Sequence, residues 1–134
     1  MTREIGFRAW DKDLKCYFYD VAVYPNNIVA IQRHNIESMM LNAQYGATHW
    51  TELGKNVVVE QYTGLKDKNG KKIYVGDIMR YDAIDYQVLW ADYYASFETK
   101  RLNSPWSNEG LTLHFLASVG SVIGNIHENP ELLK

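Results

Sequence analysis

Gln61-Tyr62-Thr63-Gly64-Leu65-Lys66-Asp67-Lys68-Asn69-Gly70-Lys71-Lys72-Ile73-Tyr74-Val75-Gly76-Asp77-Ile78 is a pair of short apolar segments joined by polar turns. Asn-Gly is the strongest short turn dipeptide, because both residues tolerate positive φ. Lys66 to Lys72 is therefore expected to reverse the chain, and Gly76-Asp77 to turn it again. The β-branched run Val57-Val58-Val59, continuing to Tyr62, enters this region as a buried strand. Gly64, Gly70, Gly76 and, further on, Gly124 are positions for positive φ or close backbone approach. Asp67 and Asp77 can bond nearby backbone amides and pin the turns; Thr63 can do so more weakly.

Working outward, Ile78–Tyr81, Tyr86–Trp90 and Phe97–Lys100 read as successive strands, linked by residues 82–85 and 91–96. Residues 103–110 form a polar loop with Pro105 and Trp106, and Leu111–Leu116 and Ser121–Ile126 alternate again as strands. Asn129-Pro130-Glu131 opens a final helical turn with a cap, a first-turn proline and an acid matched to the helix dipole. Towards the N-terminus, Glu4–Trp10 sets Ile5, Phe7 and Ala9 against Gly6, Arg8 and Trp10, and Cys16–Val23 alternates likewise, so the two read as a hairpin. A third short strand is expected over Ile28–Gln32 and a helix over His34–Ala47. Close-spaced short strands with one or two short helices predict a mainly β domain, an antiparallel barrel or sandwich. The order of elements in the C-terminal half resembles an SH3-like barrel. One domain over 1–134 fits the length, with a possible division into an N-terminal β lobe, 1–62, and a barrel lobe, 63–134.

The 134 residues carry 14 basic and 16 acidic side chains, a net charge of −2, without the basic excess usual for proteins living on duplex nucleic acid. Basic residues cluster locally: Lys66, Lys68, Lys71, Lys72 and Arg80 face only Asp67 and Asp77, and after Arg101 only Lys134 is basic. Ten Tyr, four Trp and four Phe suit half-buried sheets and interfaces. The single cysteine, Cys16, fits a reducing compartment, and neither a signal-peptide core nor a membrane-length apolar run is present, so a cytoplasmic location is expected.

Familiar catalytic patterns fail on spacing. Gly64 to Lys71 has five residues between its glycines and Lys72 after the lysine, where a phosphate loop has four and then Ser or Thr. A calcium loop begun at Asp67 would place Lys71 at its fifth position and Ile78 at its twelfth. His34, His49, His114 and His127 share no metal-binding spacing, Cys16 has no neighbour that would lower its pKa, and no serine nucleophile motif occurs. No metal and no cofactor are expected. A site assembled from distant residues such as His114, His127 and Asp77 would be invisible at this level. The binding candidates are Lys66, Lys68, Lys71 and Lys72 with the flanking rings Tyr62 and Tyr74, which could grip phosphates and stack on single-stranded bases. Against this stands the simpler reading of a solvated turn whose lysines protect a sheet edge.

The stretch 61–78 resembles the signature of the YopX-like family. Arg8-Ala9-Trp10-Asp11 resembles the family's opening, and Ile123-Gly124-Asn125-Ile126-His127-Glu128-Asn129-Pro130-Glu131-Leu132 its ending. The resemblance implies a protein encoded by bacteriophages or prophages, without an established activity or catalytic residues, that forms homo-oligomers in the bacterial host cell. The residue types in its motif, Gly64, Asp67, Asn69, Gly70, Gly76, Asp77 and Gly124, also suit a packed, turn-rich junction without any ligand. Three functions follow as expectations. First is a non-enzymatic accessory protein that self-associates and binds a phage or host protein. Second is a nucleic-acid-binding module built on turn 66–72, and third an enzyme assembled from scattered residues.

Overall fold

A computed structural model of the chain describes residues 4–19, 21–25, 28–33, 49–52, 56–104 and 110–133. The chain is mainly β and divides into two compact units, Gly6–Val59 and Glu60–Lys134, the second joined by Met1–Ile5. The helix expected over His34–Ala47 lies outside the described residues, as does most of the loop 103–110.

In the first unit, β1 (Phe7–Asp11) pairs antiparallel with β2 (Cys16–Tyr19), in the register Arg8↔Tyr19 and Trp10↔Tyr17. The polar loop between them is pinned by Asp11, whose Oδ1 accepts from the amides of Asp13 and Leu14, and it closes on Lys15 at φ 57°. The expected strand Cys16–Val23 is instead two strands, β2 and β3 (Val21–Tyr24). β3 pairs with β4 (Ile28–Arg33), and β4 with β5 (His49–Glu52), a strand the sequence did not indicate. Alternation in β1 does not separate inside from outside: Arg8, Ala9, Trp10 and Asp11 are all buried. The reason is aromatic cover, since Tyr17 lies edge-on to Trp10 and its ring sits 4.2 Å from the Arg8 guanidinium carbon. Ala9, Val21 and Val29 form the small core of this unit.

The second unit is built on a four-stranded antiparallel sheet in the order Ser96–Arg101, Ile84–Ala91, Asp77–Tyr81, Ser121–Asn125, the strands β10, β9, β8 and β11. β8 (Asp77–Tyr81) and β9 (Ile84–Ala91) are joined by Asp82-Ala83, both at positive φ, so the connection expected over 82–85 shrinks to a tight two-residue turn. Asp85 thereby joins the ladder opposite Arg80, whose guanidinium donates to both its carboxylate oxygens at 2.7 and 3.0 Å. β9 and β10 (Ser96–Arg101) form a hairpin whose four-residue end closes on Ala95 at φ 50°. β6 (Val57–Lys66), which begins in the first unit, pairs here with β7 (Lys72–Tyr74).

Leu111–Leu116 is not a strand. Residues Leu113–Val119 form helix α1, the one α-helix among the described residues. The local alternation was outweighed by the 3.6-residue spacing of Leu113, Leu116 and Ala117, which puts all three into the core with Ile73, Met79, Tyr86 and Val88. Gly120 ends the helix, its amide donating to the Leu116 carbonyl at 2.7 Å. The last element is the expected turn of helix, a 3-10 turn over Pro130–Leu133 with Glu131 in its first turn.

Candidate functional site

The turn after β6 is a three-residue hairpin loop. The Asp67 amide donates to the Lys71 carbonyl at 2.8 Å, the Gly70 amide donates to the Asp67 carbonyl at 3.0 Å, and Gly70 stands at φ 83°. That is a type I turn completed by a left-handed glycine. Asn69 keeps negative φ, so only Gly70 supplies the left-handed position. Asp67 organises the rest: Oδ1 accepts from the amides of Asn69 and Lys71, and Oδ2 from that of Val122 on β11 (Ser121–Asn125). Burial alone would raise the Asp67 carboxyl; the amides of Val122, Lys71 and Asn69 and the charge of Lys71 outweigh it and hold the group below its ordinary value.

Lys66, Lys68 and Lys71 project from this turn into solvent. Lys72 does not join them. Its ammonium donates to Glu4 Oε1 at 2.7 Å and lies 5.1 Å from the centre of the Tyr62 ring. This hydrogen bond holds Glu4 below and Lys72 above their ordinary pKa values. Tyr62 and Tyr74 are 3% and 8% exposed and pack against each other at 5.6 Å. Rings so covered offer no face on which a base could stack.

The remaining motif residues meet at a second junction. Gly64, at φ 87°, sits in a bulge of β6, where Thr63 Oγ1 donates to the Ile73 carbonyl and accepts from the Leu65 amide. Gly76 stands at φ 94°; its amide donates to the Val88 carbonyl and its carbonyl accepts from the Ile126 amide. A Cβ on Gly76 would collide with the carboxylate of Glu60, a side chain only 3% exposed. Glu60 Oε2 is 3.3 Å from His127 Nε2, a contact that becomes an ion pair when the imidazole is protonated. Asp77, 1% exposed, accepts the Tyr74 amide at 2.9 Å. Gly124 lacks a Cβ where the Asn129 side chain passes, and Asn129 Oδ1 accepts the Asn125 amide. Asn125 in turn accepts from the amides of His127 and Glu128. Asp67, Asp77, Asn125 and Asn129 thus each use a side-chain oxygen to accept backbone amides at strand ends and turns.

Of the three scattered residues considered for catalysis, Asp77 and His127 belong to this junction, whereas His114 is exposed on α1. Glu60 was missed; its signal was an acid inside the apolar run Val57–Tyr62. Among the described residues no group of three or more His, Cys, Asp or Glu side chains is placed to hold a metal ion.

The meeting of the 61–78 and 123–132 segments in one unit agrees with what the chain is similar to. The family model for the YopX protein matches residues 6–134. The chain belongs to the YopX family. A crystal structure of protein EF1440 from Enterococcus faecalis shares the fold, with a TM-score of 0.64 and 27% identity over 99% of this chain and 100% of that one. No curated protein matches the chain significantly.

A further surface of this YopX family member was not singled out in the sequence. The end of the β9–β10 hairpin, read there as a connection over 91–96, exposes Trp90 by 44%, Tyr93 by 91% and Tyr94 by 71%. Trp90 packs edge-on to Phe97 across the hairpin at 5.1 Å, and Tyr93 edge-on to Tyr94 at 5.0 Å. The aromatic density of the segment 90–97 was the available signal.

Proposed function

We infer that the chain is a non-enzymatic accessory protein of phage or prophage origin, acting in the bacterial cytoplasm by self-association and protein binding. The observation that carries the reading is the aromatic end of the β9–β10 hairpin. At about 200 Å² per aromatic side chain, Trp90, Tyr93 and Tyr94 leave roughly 400 Å² of ring surface in water. Together these rings amount to about half of what one partner contributes to a standard interface. Family membership supports the reading as well. No described helix is long and apolar enough to cross a membrane.

Light scattering behind size exclusion tests it. The wild type is expected to assemble, and the combined variant Tyr93→Ser, Tyr94→Ser to run as a monomer with an unchanged melting temperature. A wild type that stays monomeric at high concentration would refute the reading, as would a variant that assembles as the wild type does. Nucleic-acid binding by turn 66–72 is the second reading. The shared exposure of Lys66, Lys68 and Lys71 favours it, but burial of Tyr62 and Tyr74 reduces it to phosphate contacts. Such contacts predict binding that weakens steeply with salt. Labelled DNA and RNA titrated at two salt concentrations decide that question.

A further inference from the structure

The two faces of the β9–β10 hairpin differ in chemistry. Val88 and Thr99 face the core, whereas Leu89, Ala91, Glu98 and Lys100 share the opposite face through the pairing Glu98↔Leu89 and its neighbours. On that outer face lies an open recess of about 550 Å³, bounded by Leu89, Ala91, Tyr94, Glu98 and Lys100, with Thr99 and Gly110 at its margin. Its volume falls within the range of small-molecule sites.

The lining combines three features. Leu89 and Ala91 contribute apolar surface to it, and Tyr94 an aromatic ring. Lys100 and Glu98 are two residues apart on one strand, so their Cα atoms are about 7 Å apart and both side chains point to the same side. Yet the structure pairs neither with the other. Glu98 Oε1 accepts from Ser96 Oγ at 2.8 Å, which fixes the carboxylate and leaves its second oxygen open, and among the described residues no carboxylate pairs with Lys100. Two unpaired opposite charges beside apolar side chains match a ligand bearing both charges and an apolar body.

We propose that this recess binds a small zwitterion of the α-amino-acid class with an aromatic or large apolar side chain. Lys100 takes the carboxylate, Glu98 takes the ammonium, and the ring or alkyl group lies on Leu89 and Ala91 against Tyr94. The recess shares Tyr94 with the aromatic end of the hairpin, and the substitutions that test it spare that ring. Lys100→Met and Glu98→Gln change the recess while leaving Trp90, Tyr93 and Tyr94 in place.

Isothermal calorimetry and ligand-observed NMR with L-tryptophan and L-phenylalanine test it on the full chain. Saturable binding is expected for both. Each of the two substitutions should weaken it at least about tenfold, as loss of one charge-assisted hydrogen bond does. N-acetyl-L-tryptophan amide, which lacks both charges, should bind at least about tenfold more weakly than L-tryptophan by the same reasoning. Thermal melts of both variants should match the wild type, because the side chains face outward on a surface strand. The proposal is overturned by absence of saturation in the wild type, by equal affinity for the uncharged analogue, or by affinities within about twofold in both variants.

Discussion

Gly76→Ala and Gly70→Ala form a matched pair. Both glycines adopt positive φ, 94° and 83°, so each alanine carries a backbone cost of about 1–2 kcal/mol. The difference lies in what the new methyl group meets. At Gly70 nothing stands within 4 Å, so the backbone term is the whole effect. At Gly76 the methyl meets the Glu60 carboxylate, whose Cδ is 2.8 Å from the Cβ position. Glu60 is almost fully buried and 3.3 Å from His127 Nε2. Moving that carboxylate disturbs a buried polar group, and leaving such a group unsatisfied costs about 1–3 kcal/mol. Part of that cost is recovered by relaxation, so Gly76→Ala is expected to exceed Gly70→Ala by about 1 kcal/mol or more. Urea unfolding followed by far-UV circular dichroism measures both, provided the slope with denaturant is unchanged. A cycle with Glu60→Ala then isolates the contact: in that background the excess of Gly76→Ala should vanish, because the collision is gone. Equal losses for the two glycine variants, within about 0.5 kcal/mol, would refute the account of this junction.

Three further outcomes follow from the lysine turn. Gly70→Val should destabilise by roughly 1 kcal/mol or more in the same urea assay, since a β-branched residue is strained at positive φ. Asp67→Asn places an amide donor or a misaligned oxygen where Oδ2 accepts the Val122 amide, and should cost about 1–3 kcal/mol at neutral pH. The folded pKa of Asp67 is lowered, so its stabilisation is complete above the unfolded value of about 3.9 and disappears as pH falls through the folded one. Unfolding curves of wild type and Asp67→Asn should therefore converge in acid; a gap that is constant with pH would contradict the assignment. Lys68→Glu and Lys71→Glu should each change stability by less than about 0.5 kcal/mol, as exposed substitutions usually do. Thermal melts check this; if the lysines are only solvated, assembly by light scattering should survive the reversal, and if they grip phosphates, nucleic-acid binding should vanish while the melting temperature hardly moves.

Much of the fold was legible because it is set by chemistry local to the chain. Asn69-Gly70 makes its turn through Gly70's freedom at positive φ, Asp67 holds that turn through amides two and four residues away, and Pro130 starts a helical turn with its φ already fixed. The β1–β2 and β9–β10 hairpins follow from alternation broken by polar or small residues. Family membership was legible for the same reason: its motifs are these turns. What the chain could not show by itself were the outcomes of competition between distant segments. Leu111–Leu116 fits a strand as an isolated pattern, and becomes helical because Leu113, Leu116 and Ala117 fill the space left by Ile73, Met79 and Val88. Tyr62 and Tyr74 read equally well as an open stacking platform or a packed pair, and burial selected the pair. Glu60 stands out as an acid in the run Val57–Tyr62, but nothing local shows what it faces; it lies against His127, 67 residues later, in space that Gly76 leaves empty. Spacing along a chain encodes φ, ψ and periodicity, whereas burial depends on which surfaces remain once every segment has been packed, and only the folded chain contains that information.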